Sequence, residues 1–346
     1  MKRVVDQLLR MVLVGLLLAS ANAFAGRGDK VGTGAAPELL IPVGARYVGM
    51  GNASASLSTG VDAIYWNPAG LSRTTTTAEA MFSYMRYIAD IGVNYAAVSA
   101  SFEGVGSIGL SMKQIAMGDI EITTEGVPDG TGQFFSPTFI TVGLTYSRLL
   151  TDRISVGLTG NVISERIDRV SASGIAFDIG VQYSSFANVN GLNVGVVVKN
   201  IGPNVKFDGP GLYREATATG YQRPATYYKV EAATDELPST IELAVSYQQK
   251  FAEEHALTFA GVFQNNNLSE DDYKLGLEYG FNDALFLRGG YIFGQETQPD
   301  SRIYGASFGA GLHHSFGPSL AVSIDYAYRA VKYLDGNHVF TLKLGF

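Results

Sequence analysis

From Ala78 to Phe346 the chain alternates between apolar and small or polar residues, segment after segment, with turn residues between the segments. Ile140, Val142, Leu144 and Tyr146 are interleaved with Thr141, Gly143, Thr145 and Ser147. Ile175, Phe177, Ile179, Val181 and Tyr183 alternate with Ala176, Asp178, Gly180 and Gln182, and Ile241, Leu243, Val245 and Tyr247 with Glu242, Ala244 and Ser246. A strand points successive side chains to opposite sides of its sheet, so each segment has one apolar face and one small, polar face. That pattern confines the chain to an all-β build, either a soluble sandwich or a membrane barrel.

Three features select the barrel. The apolar faces often end in Tyr, as in the aromatic girdle at a membrane interface. The opposite faces carry isolated charges (Asp178, Glu242, Lys274, Glu278, Arg288, Asp325 and Lys343), which suits a wet or plugged lumen. The segments run for about 9–13 residues, where a tilted membrane strand needs about 9–11. The fold class is therefore all-β, a transmembrane antiparallel β-barrel.

Fourteen strands are predicted, over residues 78–87, 92–102, 106–122, 138–150, 154–166, 172–185 and 191–201, then 239–251, 255–264, 273–281, 285–293, 304–314, 319–329 and 338–346. An even number is the bacterial rule. The turns 103–105, 151–153, 282–284 and 315–318 are short, the connections 123–137, 202–238 and 294–302 are long, and the two kinds alternate. Short turns belong to the periplasm and long loops to the outside, so both ends of the mature chain are expected on the periplasmic side. Residues 227–231 are read as part of the longest loop.

Lys2, Arg3 and Arg10 accompany an apolar run from Met11 to Ala19, and Ala23-Phe24-Ala25 has small residues at both key positions of a cleavage site. Residues 1–25 are read as an export signal, too short to span about 30 Å of hydrocarbon. Residues 26–77 form an N-terminal segment rich in Gly, Ala and Ser, and residues 78–346 the barrel. The protein is placed in the bacterial outer membrane, among its lipids and lipopolysaccharide.

Other chemistry finds little footing. The absence of Cys excludes a disulfide scaffold and thiolate metal sites, and a net charge of −7 argues against a nucleic-acid partner. Gly104-Val105-Gly106-Ser107-Ile108-Gly109 matches a dinucleotide fingerprint but enters a strand rather than a helix. His313 and His314 are adjacent on a strand and cannot converge on one metal. No nucleophile elbow accompanies His255 or His313. Glu270, Asp271 and Asp272 are read as solvated loop charges. No catalytic residue, cofactor or metal is assigned.

The N-terminal segment holds Leu39-Leu40-Ile41-Pro42-Val43-Gly44-Ala45-Arg46-Tyr47-Val48-Gly49-Met50-Gly51 and, further on, Asp62-Ala63-Ile64-Tyr65-Trp66-Asn67-Pro68-Ala69-Gly70-Leu71-Ser72. Asp62 is a fair helix N-cap, and Ala63 to Trp66 make one turn that Pro68 stops. A fourteen-strand barrel has a lumen that invites such a plug. These residues resemble the PorV/PorQ family of outer-membrane proteins, relatives of the FadL long-chain fatty acid transporters. The likeness continues through Met117-Gly118-Asp119-Ile120-Glu121-Ile122, Tyr146-Ser147-Arg148-Leu149-Leu150-Thr151-Asp152-Arg153 and Leu237-Pro238-Ser239-Thr240. Asn67-Pro68-Ala69 resembles the triplet of the FadL hatch, and the Gly70 after it is the FadL-like form.

The resemblance implies a fourteen-strand FadL-like barrel with a hatch motif at Asp62, Trp66, Asn67, Pro68, Ala69 and Gly70. For the PorV branch it implies type IX secretion, in which cargo bearing a conserved C-terminal domain is received from the translocon and carried to the surface attachment complex. The terminal Phe340, Leu342, Leu344 and Phe346 resemble the recognition signal of barrel assembly. Two functions follow. In the first, the outer loops bind exported cargo; the loop Gly202–Pro238 carries Tyr213, Tyr221, Tyr227 and Tyr228 among four basic and five acidic residues, the composition of an interface. In the second, the barrel transports hydrophobic small molecules as FadL does, which needs an apolar pocket beside the hatch and a way out through the wall.

Overall fold

The computed structural model describes residues 30, 32–217, 224–294, 302–317 and 320–346. The export signal read at 1–25 and Tyr221 lie outside the described residues. In chain order the strands are β1 (Ala78–Arg86), β2 (Gly92–Phe102), β3 (Gly106–Ala116), β4 (Ile120–Glu121), β5 (Phe134–Phe135), β6 (Thr138–Leu149), β7 (Ile154–Ile167), β8 (Val170–Tyr183), β9 (Leu192–Ile201) and β10 (Val205–Lys206). There follow β11 (Tyr213–Ala216), β12 (Thr226–Lys229), β13 (Thr234–Asp235), β14 (Thr240–Lys250), β15 (His255–Asn266), β16 (Asp272–Phe281), β17 (Leu285–Phe293), β18 (Tyr304–Ser315), β19 (Ala321–Val331) and β20 (Asn337–Gly345).

Fourteen of these close into one antiparallel barrel, in the order β1, β2, β3, β6 to β9, then β14 to β20. The seam is shut by β1 against β20, with Glu79 opposite Gly345 and Arg86 opposite His338. The remaining six make three short hairpins in the long connections, β4–β5, β10–β13 and β11–β12. Two expectations change here. Strand β3 stops at Ala116 rather than at 122, because Gly118 takes a left-handed turn (φ 74°) and Ile120–Glu121 leave the wall to pair with Phe134–Phe135. Residues 226–229 are strand rather than plain loop, because they pair with 213–216.

Burial along the barrel is inverted relative to a soluble protein. Leu144 and Phe308 are 57% and 60% exposed, whereas Glu242 and Asp178 are 2% and 5% exposed. The apolar faces meet lipid and the polar faces meet the lumen, while strand-to-strand pairing satisfies the backbone groups that hydrocarbon cannot. Among the described residues no helix is long and apolar enough to cross a membrane; strands make the crossing. The barrel is of the outer-membrane kind.

The residues before β1 fold inside this ring as a chain of short helical turns, at Pro37–Leu40, Ala45–Gly49, Gly60–Asp62, Ala63–Trp66 and Pro68–Arg73. The core lies between them and the wall, with Tyr47, Val48, Met50 and Trp66 packed in one cluster with Met85, Val93, Val197 and Val339. At the start of the segment Lys30 pairs with Glu236 at 3.1 Å, and the Ala35 N–H donates to the Glu236 carbonyl at 3.0 Å, on the long-loop side. At its end the Thr77 N–H donates to the Phe346 carbonyl at 2.8 Å, on the short-turn side. The described chain thus starts at one mouth and finishes at the other. The segment traverses the lumen before β1 begins, and the C-terminal end lies on the expected short-turn side; the expected start of the mature chain, residues 26–29, lies outside the described residues.

Candidate functional site

The Asn67-Pro68-Ala69-Gly70 run is held against glycines of the wall. The Asn67 side-chain N–H₂ donates to the Ala55 carbonyl at 2.7 Å and to the Val181 carbonyl of β8 at 3.3 Å, and its oxygen accepts from the Ala69 N–H at 3.2 Å. A Cβ on Gly180 would lie 1.9 Å from Asn67 Oδ1, and one on Gly157 would lie 2.2 Å from the Pro68 carbonyl carbon. The wall is therefore notched where the motif leans on it. Gly70 itself sits so close to Ser58 that a Cβ would fall 1.9 Å from the Ser58 carbonyl oxygen. The Trp66 indole N–H donates to the Val43 carbonyl at 3.2 Å, and its ring meets Tyr65 edge-on at 5.0 Å. Arg73 ends the run by binding the Ser155 hydroxyl at 2.7 Å, the Ser184 hydroxyl at 2.6 Å and the Arg153 carbonyl near the short turns.

Asp62 does not cap the helix that follows it. Gly60–Asp62 is already a helical turn, so Asp62 has helical φ and ψ (−61°, −34°) and its side chain makes no capping bond. The carboxylate instead pairs with Lys343 of β20 at 2.7 Å. Other inward charges do the same work. Arg46 grips Glu278 with two bonds of 3.0 and 2.8 Å, Arg288 binds Glu278 at 2.6 Å, and Arg288 also binds Asp325 at 2.6 Å. Lys113 donates to the Glu38 carbonyl at 2.7 Å. Its ammonium and that of Lys199 stand 4.9 and 4.3 Å from the Tyr65 ring centre, a double cation–π contact. Sequence reasoning placed these wall charges on the lumen face but missed Arg46, Lys113 and Lys199 as partners. For Lys113 and Lys199 the signal was available, since both fall on the polar face of an alternating segment.

Burial shapes the acidity of the segment's own groups. The Glu38 carboxyl is buried, and burial raises its pKa from 4.5 against its backbone hydrogen bond, the pull of Lys113 and a hydrogen bond with Glu165. Burial also pushes the Tyr47 hydroxyl up to about 12, keeping it a neutral donor to the Leu57 carbonyl at 3.2 Å.

Space in and around the lumen is divided. A void beside Tyr65, lined by Leu39, Tyr95, Lys113, Asp178 and Lys199 among others, measures about 30 Å³. A cavity of about 590 Å³ opens at the short-turn end between Arg46, Glu79, His313, Lys343 and Phe346. An apolar groove of about 500 Å³ runs on the outer wall over Ala310 and Gly311, flanked by Tyr279, Leu287, Ile324 and Tyr326. Phe286 and Leu312 line both of the larger spaces.

The loop tyrosines gather in one hairpin. Tyr213 stands opposite Lys229, Tyr228 opposite Arg214 and Tyr227 opposite Glu215, all exposed. Alternation puts Tyr213 and Tyr227 on one face and Tyr228 on the other. Lys229 pairs with Asp208 at 2.5 Å and Lys206 with Glu231 at 2.8 Å; these ammonium partners hold Asp208 and Glu231 below the usual carboxylate range. On β20, Phe340 and Leu342 face outward, and Phe346 follows the strand with its N–H on the Ala78 carbonyl at 2.8 Å. His313 bonds the Ser323 hydroxyl at 2.8 Å while His314 meets Phe316 edge-on, so the two imidazoles diverge. Among the described residues no three His, Asp or Glu group in a way that could hold a metal ion.

A family model described as "Type IX secretion system protein PorV" matches residues 24–221. No curated protein matches significantly. Among solved structures, the chain is similar to the CymD monoaromatic hydrocarbon channel, with 14% identity over 89% of this chain and 98% of that one and a TM-score of 0.56. It is also similar to the Pseudomonas putida toluene transporter TodX, with 12% identity over 87% and 96% of the two chains and a TM-score of 0.54. At these identities the likeness is one of fold.

Proposed function

The chain belongs to the family of the type IX secretion system protein PorV, and from that membership we propose that its outer loops bind exported cargo while residues 26–77 keep the lumen shut. The observation that supports this reading is the packing of the lumen beside Tyr65, the larger cavity of about 590 Å³ being confined to the short-turn end among Arg46, Glu79, Arg288, Asp325 and Lys343. The 30 Å³ void beside Tyr65 has room for one or two waters and not for a hydrophobic ligand. Work is then left to the outer surface, where the hairpin of the longest loop offers Tyr213, Tyr227 and Tyr228, with Tyr221 in the same loop. Tyr supplies contact area at modest ordering cost. The cargo is an exported protein bearing a conserved C-terminal domain, handed on from the translocon towards the attachment complex.

A well-packed Tyr anchor is worth about 2 kcal/mol or more, so its loss weakens binding roughly tenfold to a hundredfold. The test takes Tyr221→Ala and Tyr228→Ala, verifies that each still folds as a barrel, and measures capture of cargo C-terminal domains beside uptake of a hydrophobic probe. Reduced capture with unchanged uptake supports secretion. Intact capture with reduced uptake overturns it in favour of a second reading, transport of hydrophobic small molecules across the outer membrane. That second reading draws on the two wall residues, Phe286 and Leu312, that line both the short-turn cavity and the apolar groove outside. It also draws on the hydrocarbon channel and toluene transporter that share the fold.

A further inference from the structure

The hairpin in the longest loop has two outer edges, and they are not equivalent. Just below its ladder the Val230 N–H donates to the Leu212 carbonyl at 2.9 Å, which makes Leu212 and Val230 a hydrogen-bonded pair. Bonded and non-bonded pairs alternate along an antiparallel ladder. Arg214 therefore bonds with Tyr228 and Ala216 with Thr226, while Tyr213, Glu215, Tyr227 and Lys229 turn their backbone N–H and C=O outward. On the β11 edge the Arg214 guanidinium folds back onto the Tyr213 carbonyl at 3.0 Å and the Gly211 carbonyl at 2.8 Å, covering it. On the β12 edge no hydrogen bond among the described residues reaches the backbone of Tyr227 or Lys229.

Proteins usually guard such an edge with Lys, Pro or a bulge. β12 contains no Pro, and the charge of its Lys229 is drawn aside and neutralised by Asp208 at 2.5 Å. The barrel itself, being closed, leaves no comparable edge. We propose that the outer edge of β12 takes up an extended segment of the exported polypeptide as a third strand. This rests on the secretion reading and specifies how the cargo is held. The occupant follows from the groups on offer: outward N–H and C=O groups at strand spacing are complementary to another extended backbone, and alternate side chains give the selectivity. The edge lies on the long-loop side, where cargo would arrive.

The test separates backbone from side chain. Lys229→Pro deletes one outward N–H and leaves the hairpin's own bonded pairs in place, whereas Lys229→Ala keeps the N–H and loses only the ion pair. Both are made in the full chain, purified as a heat-modifiable barrel, and assayed for binding of a purified C-terminal domain from a cargo of the same secretion system. The expected result is a weakening of about tenfold for Lys229→Pro and less than twofold for Lys229→Ala. Amide hydrogen exchange of the wild-type complex gives an independent reading should the proline variant misfold, with Tyr227 and Lys229 amides slowed by cargo.

Equal losses in both variants, or no slowing of those amides, overturns strand addition. So does slowing that is already present without cargo and rises with protein concentration, which would make a second copy of this chain the occupant. Capture by the wild type that neither variant alters overturns strand addition and leaves the secretion reading standing. Failure of the wild type to capture any cargo domain overturns both.

Discussion

The Asp62 carboxylate accepts a bond from the Lys343 ammonium at 2.7 Å, tying a turn of the N-terminal segment to the last strand of the barrel across 281 positions of sequence. The Asp62 side chain is only 5% exposed, so removing its partner strands a buried charge. Lys343→Ala is expected to lower stability by about 3 kcal/mol, the low end for breaking a buried pair. Thermal unfolding should show a much smaller loss in the Asp62→Ala, Lys343→Ala double variant. An additive double variant would mean that the pair is not coupled.

The notches in the wall give a second expectation. Gly180→Ala and Gly157→Ala each place a Cβ well inside contact distance of Asn67 or Pro68, and overpacking of that kind costs about 1–3 kcal/mol. Gly289→Ala meets nothing within 4 Å and serves as the neutral control. In planar bilayers the first two should conduct intermittently and the control should stay silent. Deleting residues 44–72 should open the barrel outright; a deletion that stays silent would show that the segment does not close the lumen.

Phe346→Ala tests assembly rather than burial. The residue is 52% exposed, and its backbone bonds to Thr77 and Ala78 survive the substitution. Folded stability should change little. Outer-membrane abundance should fall, because the last strand is recognised less well. Normal abundance with normal heat-modifiability removes Phe346 from the assembly signal.

Glu38 predicts the sign of a pH effect. Its pKa in the folded state lies above 4.5, so the folded protein holds this proton more tightly than the unfolded chain does. The resulting stability is complete below about pH 4.5 and is lost as pH rises through the raised value. Glu38→Gln should therefore be more stable than the parent at neutral pH, with a flatter pH dependence above about pH 4.5 in thermal melts. A variant less stable than the parent at pH 7 would show that the carboxylate has a partner worth more than its burial costs.

Much of the barrel was legible because period two is local. Ile175, Phe177, Ile179 and Val181 declare their lipid face within seven residues, and all four are exposed in the structure. The boundary of β3 was not legible, since Ile120–Glu121 continues to look like a strand and only its pairing with Phe134–Phe135 removes it from the wall. The partners of Glu278 were hidden for a different reason. Arg46 lies 232 positions away, and only closure of the ring brings the two together. The Asn67 motif could be singled out by its resemblance to the FadL hatch, but not the glycines that receive it. Gly157 and Gly180 look like ordinary small residues on a polar face until the N-terminal segment is seen lying against them.

The passage of the N-terminal segment from Lys30 at the long-loop mouth to Thr77 at the short-turn mouth has a topological consequence. The segment is anchored at Ala78, where β1 meets β20. Whatever clears the bore must draw everything that precedes β1 through its full length towards the short-turn mouth, because the anchor allows no other exit. Emptying the barrel is thus vectorial, and so is filling it: an intact ring can be threaded only from the short-turn side, whereas a ring zipped last along β1 and β20 can be wrapped around a segment already in place. The seam is where those two histories would differ, and the order in which its strands pair decides whether the segment is a thread or a former.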